Sequence, residues 1–382
     1  MELAVQHDLL ERINTHLDSG SDPMATTVML QPGEQYVSAD RLARERATVF
    51  ESLPLVVGAS DRVRNPGDFF TDDLTGFPVI IVRGDDGVLR GFHNSCGHRG
   101  AAVEAAEGGC SRRFTCPYHA WSYDNRGTLV SIPNDEGFDG VDRSTRGLVE
   151  FPVEERHGLV WARPTGSAEA RIDVASHLGD LDVELAAFGM EDYRHDRTDV
   201  LREDFNWKQV VGGFLETFPL RFLHRNTIGP YINSNFALFD AFGPHGRMIG
   251  LRDSYESMRK RPPAEQELLP HVAIIYHVFP NTVLVWQGDH FEAWSSHPMG
   301  DPSAVGARAS LLAPPDLTGP DYDARWDKNW QILMDTVLLE DFVVARVIHR
   351  NNLAGSREHA VFGRQEAALQ HFHAQLDAHI NG

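Results

Sequence analysis

Val5, Leu9, Ile13 and Leu17 recur four apart, which lays one apolar stripe along a helix. From about residue 50 the period shortens to β-rich runs broken by Gly, Pro and Asp. In residues 77–92 (FPVIIVRGDDGVLRGF) the pair Asp86-Gly87 separates two apolar runs and predicts a hairpin turn, and 158–164 (GLVWARP) predicts a further strand. The β pattern ends near Pro164, and the polar stretch 165–180 reads as a linker. Residues 271–297 predict two or three strands joined at Pro280-Asn281. Residues 335–351 and 363–380 predict helices, the second with Leu369, Phe372, Leu376 and Ile380 as its stripe. These elements divide the chain into an N-terminal helical segment (1–40), a small all-β domain (41–165) and an α+β domain (166–382) on which the first segment packs.

A length of 382 residues suits two packed domains, and 42% hydrophobic with 24% charged residues is ordinary for a globular chain. A formal charge of −20 argues against nucleic acid or an anionic membrane as partner. No run of eighteen apolar residues predicts a spanning helix. The N-terminus is acidic and amphipathic rather than basic and then apolar, so no signal peptide is expected. Three cysteines cannot build a disulfide framework. A reducing, cytoplasmic setting follows as the expectation.

Two of those cysteines change the picture. Residues 96–121 (CGHRGAAVEAAEGGCSRRFTCPYHAW) contain Cys96-x-His98, then seventeen residues, then Cys116-x-x-His119. Each half puts a thiolate and an imidazole on one tight loop. Two such loops can hold a diiron cluster, with the cysteines on one iron and the histidines on the other; neutral imidazoles raise its potential above that of an all-cysteine cluster. Zinc is the competing reading, but zinc fingers pair Cys with Cys and His with His, whereas both halves here are mixed. Cys110, between the halves, reads as a bystander.

The segments 65–100, 116–130, 206–218 (NWKQVVGGFLETF), 276–282, 338–347 (LLEDFVVARV) and 362–373 together resemble the large (α) terminal-oxygenase subunits of the Rieske non-heme iron oxygenases. The resemblance implies a small all-β Rieske [2Fe–2S] domain placed before an α+β catalytic domain of helix-grip shape. It implies a ferredoxin or flavin reductase as electron donor, O₂ and a small apolar or aromatic substrate, and hydroxylation or oxidative demethylation as the reaction. It also implies a ring of three subunits, or a mixed hexamer with a second kind of oxygenase chain, in which each cluster faces the neighbour's iron. Arg99, Arg112 and Arg113 beside the cluster loops are candidates for docking the donor.

The same resemblance implies a mononuclear Fe(II) held by two histidines and a carboxylate. Laid over this chain, the family pattern makes Glu216 the carboxylate that bridges electrons between subunits, and makes His224 and Asp341 iron ligands. The first histidine position is Pro219, which has no lone pair to offer. On a helix Glu216 and residue 219 share a face, so the proline is expected to break the helix ahead of His224. Glu340 reads as a solvated acid. Phe214, Phe218, Phe222 and Leu223 suggest apolar surroundings, while His245, His271, His277, His290 and His349 read as structural, one of them a candidate to refill the vacancy. The departure at 219 keeps a second reading open, a catalytically silent or partner-dependent subunit that donates electrons or structure within a mixed oligomer. A simple electron carrier is disfavoured, since about a hundred residues suffice to hold a cluster.

Overall fold

A computed structural model describes the chain except for residues 168, 219 and 235. It divides into two compact units, Phe50–His177 and Met1–Val49 with Leu178–Gly382.

The smaller unit is all-β. Its five-stranded antiparallel sheet runs Glu150–Phe151, Leu89–His93, Val79–Arg83, Asp68–Asp72, Gly108–Cys110. Two three-stranded sheets accompany it, one built on Leu159–Ala162 and the other on Ser122–Asp124. Successive side chains of a strand point to opposite faces, and the central strand uses both. Ile80 and Val82 join a core with Phe92, Phe114, Trp121 and Tyr123, while Val79 and Ile81 join another with Val57, Phe70 and Val160. The Asp86-Gly87 turn is present between paired strands, with Gly87 at φ +77°. That backbone conformation suits glycine, which has no Cβ to clash.

The larger unit is built on a seven-stranded antiparallel sheet. Its order is Arg194–Glu203, Val305–Ala313, Phe291–Pro298, Thr282–Trp286, Val272–Val278, His245–Leu251, Leu238–Phe242. Five of these strands are buried along their whole length, so both faces are covered. Helix Trp207–Phe214 lies against the Phe291–Pro298 and Val305–Ala313 strands, and helix Ala367–Asn381 against the His245–Leu251 strand. The last helix buries the expected stripe of Leu369, Phe372, Leu376 and Ile380. The first forty-nine residues join this unit through strand Met29–Pro32, which pairs with His359–Phe362, and through the Arg12–Asp240 ion pair at 2.6 Å.

Two expectations are corrected. The stretch read as a linker contains the helical turn Val174–Leu178, whose end residues are fully buried. The helix expected over 335–351 is the end of a longer run that starts with Pro320–Thr336, passes through a π turn at Val337–Asp341 and continues as Phe342–Leu353. The charged start of that run hides a stripe of Trp326, Trp330 and Leu333 facing inward. No helix among the described residues is long and apolar enough to cross a membrane.

Candidate active site

The four cluster-motif residues lie on two loops with the same backbone construction. In the first, Cys96 N–H donates to Ala101 O at 2.8 Å, Gly100 N–H donates back to Cys96 O at 2.8 Å, and Gly100 has φ +78°. In the second, Cys116 N–H donates to Trp121 O at 2.9 Å, Ala120 N–H donates back to Cys116 O at 2.9 Å, and Ala120 has φ +58°. Glycine takes that turn freely, whereas alanine holds it against its Cβ.

These turns bring the motif together. The His98 and His119 rings stand 4.7 Å apart, and Trp121 stacks on His98 at 5.0 Å. Cys96 and Cys116 are buried, while His119 is exposed. The Tyr123 hydroxyl lies 3.2 Å from Cys96 Sγ and accepts from Gly97 N–H at 2.9 Å, so its own proton points at the sulfur. Burial, with the nearby thiol, pushes the tyrosine pKa well up and keeps that proton in place. His98 Nδ1 is buried and has no hydrogen-bond partner. An orphaned imidazole nitrogen beside a second imidazole, on loops that also carry two buried thiols, fits the donor set of a cluster. Among the described residues no three His, Cys, Asp or Glu converge on one point; a diiron cluster does not need that, since its ligands divide two to an iron.

In the larger unit, the helix bearing Asn206-Trp207-Lys208 starts with a capping box between Asn206 and Gln209. Buried Glu45 fixes its first turn by accepting from Lys208 Nζ at 2.7 Å, Trp207 Nε1 at 2.8 Å and Arg41 Nε at 3.0 Å. The helix ends at Phe214 with Leu215 as its cap. Glu216 therefore stands beyond the helix, which corrects the expectation that a proline is what breaks it; Gly212-Gly213 in the last turn is reason enough for the stop. Pro219 itself lies outside the described residues.

His224 is buried between two carboxylates. Its Nε2 is 3.1 Å from Asp341 Oδ1, and its Nδ1 is 2.8 Å from Glu340 Oε2, which also accepts from Thr227 Oγ1 at 2.6 Å. Glu340 is thus not the solvated acid expected from sequence: it holds the His224 ring. Burial opposes charging His224, but the two carboxylates outweigh it and raise its pKa. Glu216 is pushed up to about 8 by burial, by its hydrogen bond with Glu366 and by Asp341. For a metal, the His224–Asp341 separation matches that of adjacent ligands at about 3 Å, given bonds near 2.1 Å. The Glu340 contact at Nδ1 turns Nε2 towards Asp341, the orientation an outer carboxylate gives a metal-binding imidazole. Two donors fit, and the third position of the pattern carries a residue without one.

A cavity of about 430 Å³ opens beside this pair. Phe214, Met248, Ile275, Val285 and Leu333 supply apolar wall, and Glu216, His224 and Asp341 border it. Phe218 and Phe222, expected in apolar surroundings, are instead 44% and 58% exposed. Sequence reasoning passed over Glu292, Asp289 and Arg325, which also line the cavity, and read His290 there as structural. The available signal was Glu292, a carboxylate inside a run of strand residues.

Residues 190–382 match the ring hydroxylating alpha subunit (catalytic domain), and residues 54–152 match the Rieske [2Fe–2S] domain. The chain belongs to the ring-hydroxylating α-subunit family. Among curated proteins, the carnitine monooxygenase oxygenase subunit of Escherichia coli K12 is 31% identical over 187 residues, 49% of this chain and 50% of the relative. The benzene 1,2-dioxygenase subunit alpha of Pseudomonas putida is 34% identical over 165 residues, 43% of this chain and 35% of the relative. The chain thus spans half or less of the length of these relatives. The fold is shared with a solved quaternary ammonium Rieske monooxygenase in complex with an inhibitor, at TM-score 0.78 and 19% identity over 93% of this chain and 96% of that one. The expected class, a small all-β Rieske domain before an α+β catalytic domain, is the one found in this α subunit.

Proposed function

We propose that this α subunit uses O₂ and relayed electrons to hydroxylate or oxidatively demethylate a small molecule with an apolar or aromatic body. The observation that carries the reading is the 430 Å³ cavity with His224 and Asp341 in its border, in the same chain as the paired Cys–His loops. Cys96, Cys116, His98 and His119 would hold the cluster, and His224 with Asp341 would hold ferrous iron. When bound, the cluster supplies single electrons and the iron a place where O₂ is activated. The chain's own part is to orient and to exclude water. Tyr123 donates to Cys96 Sγ, Glu340 fixes the His224 ring, and the apolar wall seats the substrate away from solvent. Glu216, protonated more readily than an ordinary carboxyl, would couple electron arrival to proton movement at its own oxygen.

A ferredoxin or flavin reductase would dock at Arg99, Arg112 and Arg113, all exposed. A homotrimer or a mixed hexamer in the cytoplasm would complete the assembly. The silent or partner-dependent reading keeps a specific observation behind it, the proline at position 219. Metal analysis tests both. Two irons with two acid-labile sulfides per chain, lost in His119→Ala, are expected of the cluster; a third iron supports a complete second site. Its absence, with recovery in Pro219→His, supports dependence on a partner. Zinc without labile sulfide would overturn both.

A further inference from the structure

The cavity wall has a polar stretch that neither metal centre uses. Glu292 lies on the strand Phe291–Pro298, and its register puts it opposite Val285, which is opposite Ile275, which is opposite Met248. That row is an apolar floor ending in a carboxylate. Glu292 is only 3% exposed, and its Oε2 has no hydrogen-bond partner. A buried carboxyl oxygen without a partner gives up hydration that packing does not return. Leucine at this position would cost the sheet less.

Beside it stands His290, 2% exposed. Asp289 Oδ1 takes its Nδ1–H at 2.7 Å, and Arg325 pairs with Asp289. The ring is thereby fixed with Nε2 turned away from Asp289, 3.8 Å from Glu292 Oε1 and with no hydrogen-bond partner of its own. The two carboxylates outweigh burial and raise the histidine's pKa, which favours a proton on Nε2 as well. One wall therefore presents an acceptor and a donor side by side.

Charge selects among ligands. Asp289 is paired with Arg325 and Glu292 stands beside the protonated His290, two charges of each sign, while the Arg252 guanidinium is turned onto Val272 O, Gln287 O and Gln287 Oε1. The wall is close to neutral, so it does not favour a bare cation or a bare anion. We propose that Glu292 and His290 form a subsite for the neutral hydrogen-bonding head of an otherwise apolar substrate, a hydroxyl or carboxamide that donates to the carboxylate and accepts from the imidazole. This rests on reading the cavity as the substrate site.

Titration calorimetry on the full chain with four matched probes tests it: indane, indan-1-ol, 1-aminoindane and indane-1-carboxylate. A hydrogen bond to a charged group predicts that indan-1-ol binds about tenfold tighter than indane or more. Glu292→Leu should bring the two within about twofold, and its thermal midpoint should be unchanged or higher, because an unpaired buried carboxyl has been removed. Glu292→Gln, which keeps an acceptor, should retain part of the preference. Tightest binding of the ammonium or the carboxylate overturns the neutral head. Lack of any head-group preference, through equal binding or through none, overturns the subsite. Ile275→Trp fills the floor and separates the two levels of reading. If it abolishes binding while Glu292→Leu changes nothing, only the subsite fails; if all probes still bind, the cavity is not the substrate site.

Discussion

Glu45→Gln should destabilise the larger unit severely, and the loss should shrink as pH rises. Glu45 is fully buried and takes three donors, the most consequential being Lys208, which is itself 1% exposed. Removing one partner of a buried ion pair typically costs about 3–5 kcal/mol, because the other charge stays behind. Lys208 sets a ceiling. Burial already lowers its pKa from the ordinary 10.5. Without Glu45 the ammonium can escape by giving up its proton, which at pH 7 costs about 4.8 kcal/mol. The two routes agree on about 4 kcal/mol, a drop of roughly 10 °C in thermal midpoint for a unit of this size. As pH rises past about 7.5 deprotonation becomes the cheaper route; Lys208 is then neutral when folded and charged when unfolded, so the unfolded state binds one proton more. Stability then rises with pH by about 1.4 kcal/mol per unit towards 10.5. Urea unfolding at pH 7 and pH 9, against the native chain, reads both numbers. A loss below about 1 kcal/mol, or one that is the same at both pH values, refutes the argument. Glu45→Leu with Lys208→Met should recover much of the loss, since neither charge is then stranded.

Tyr123→Phe should lower the cluster's reduction potential by about 60–130 mV, the equivalent of a hydrogen bond to a charged group worth about 1.5–3 kcal/mol; protein-film voltammetry reads it, and an unchanged potential would contradict the assigned proton. His277 and His297 are buried and neutral, held down to about 3 by desolvation. Their stabilising contribution is present above pH 6.5 and is lost as pH falls below it, so urea midpoints should fall between pH 6.5 and 5, with a shallower slope in His277→Phe. Gly100→Ala should cost about 1 kcal/mol and reduce cluster content on purification, while Ala120→Gly should be tolerated, because the same left-handed turn strains a Cβ in either loop.

The parts legible in the sequence were those fixed by neighbours along the chain. Cys-x-His and Cys-x-x-His announce their loops because the turn is local, as does Asp86-Gly87. The Leu369–Ile380 stripe announces its helix because 3.6-residue periodicity is local too. Glu340 was misread for the opposite reason: its partners are His224 and Thr227, more than a hundred residues away, and nothing at position 340 records them. Periodicity says which face of a helix is wet, but it cannot say that a carboxylate on the half-exposed side meets an imidazole. The Pro320–Thr336 helix was missed because its first turn is acidic and its inward tryptophans are diluted by charge. His290 was filed with the structural histidines because a sequence does not show whether a ring nitrogen has a partner.

The two cluster loops hold their shape by main-chain hydrogen bonds at the Cys, at the residue four later and at the residue five later. The bonds closing each turn use no side chain from the positions in between. Gly97 is an exception for a different reason, since a Cβ there would meet Arg146 O at 2.6 Å. At exposed Arg99 no such limit applies, whereas the Tyr118 ring lies 3.7 Å from that of His119. The loops thus divide their labour. The backbone keeps sulfur and nitrogen donors in register, and the Arg99 tip is left open to change under selection for whatever protein comes to touch it. A lineage could alter that surface at Arg99 without rebuilding the turn beneath.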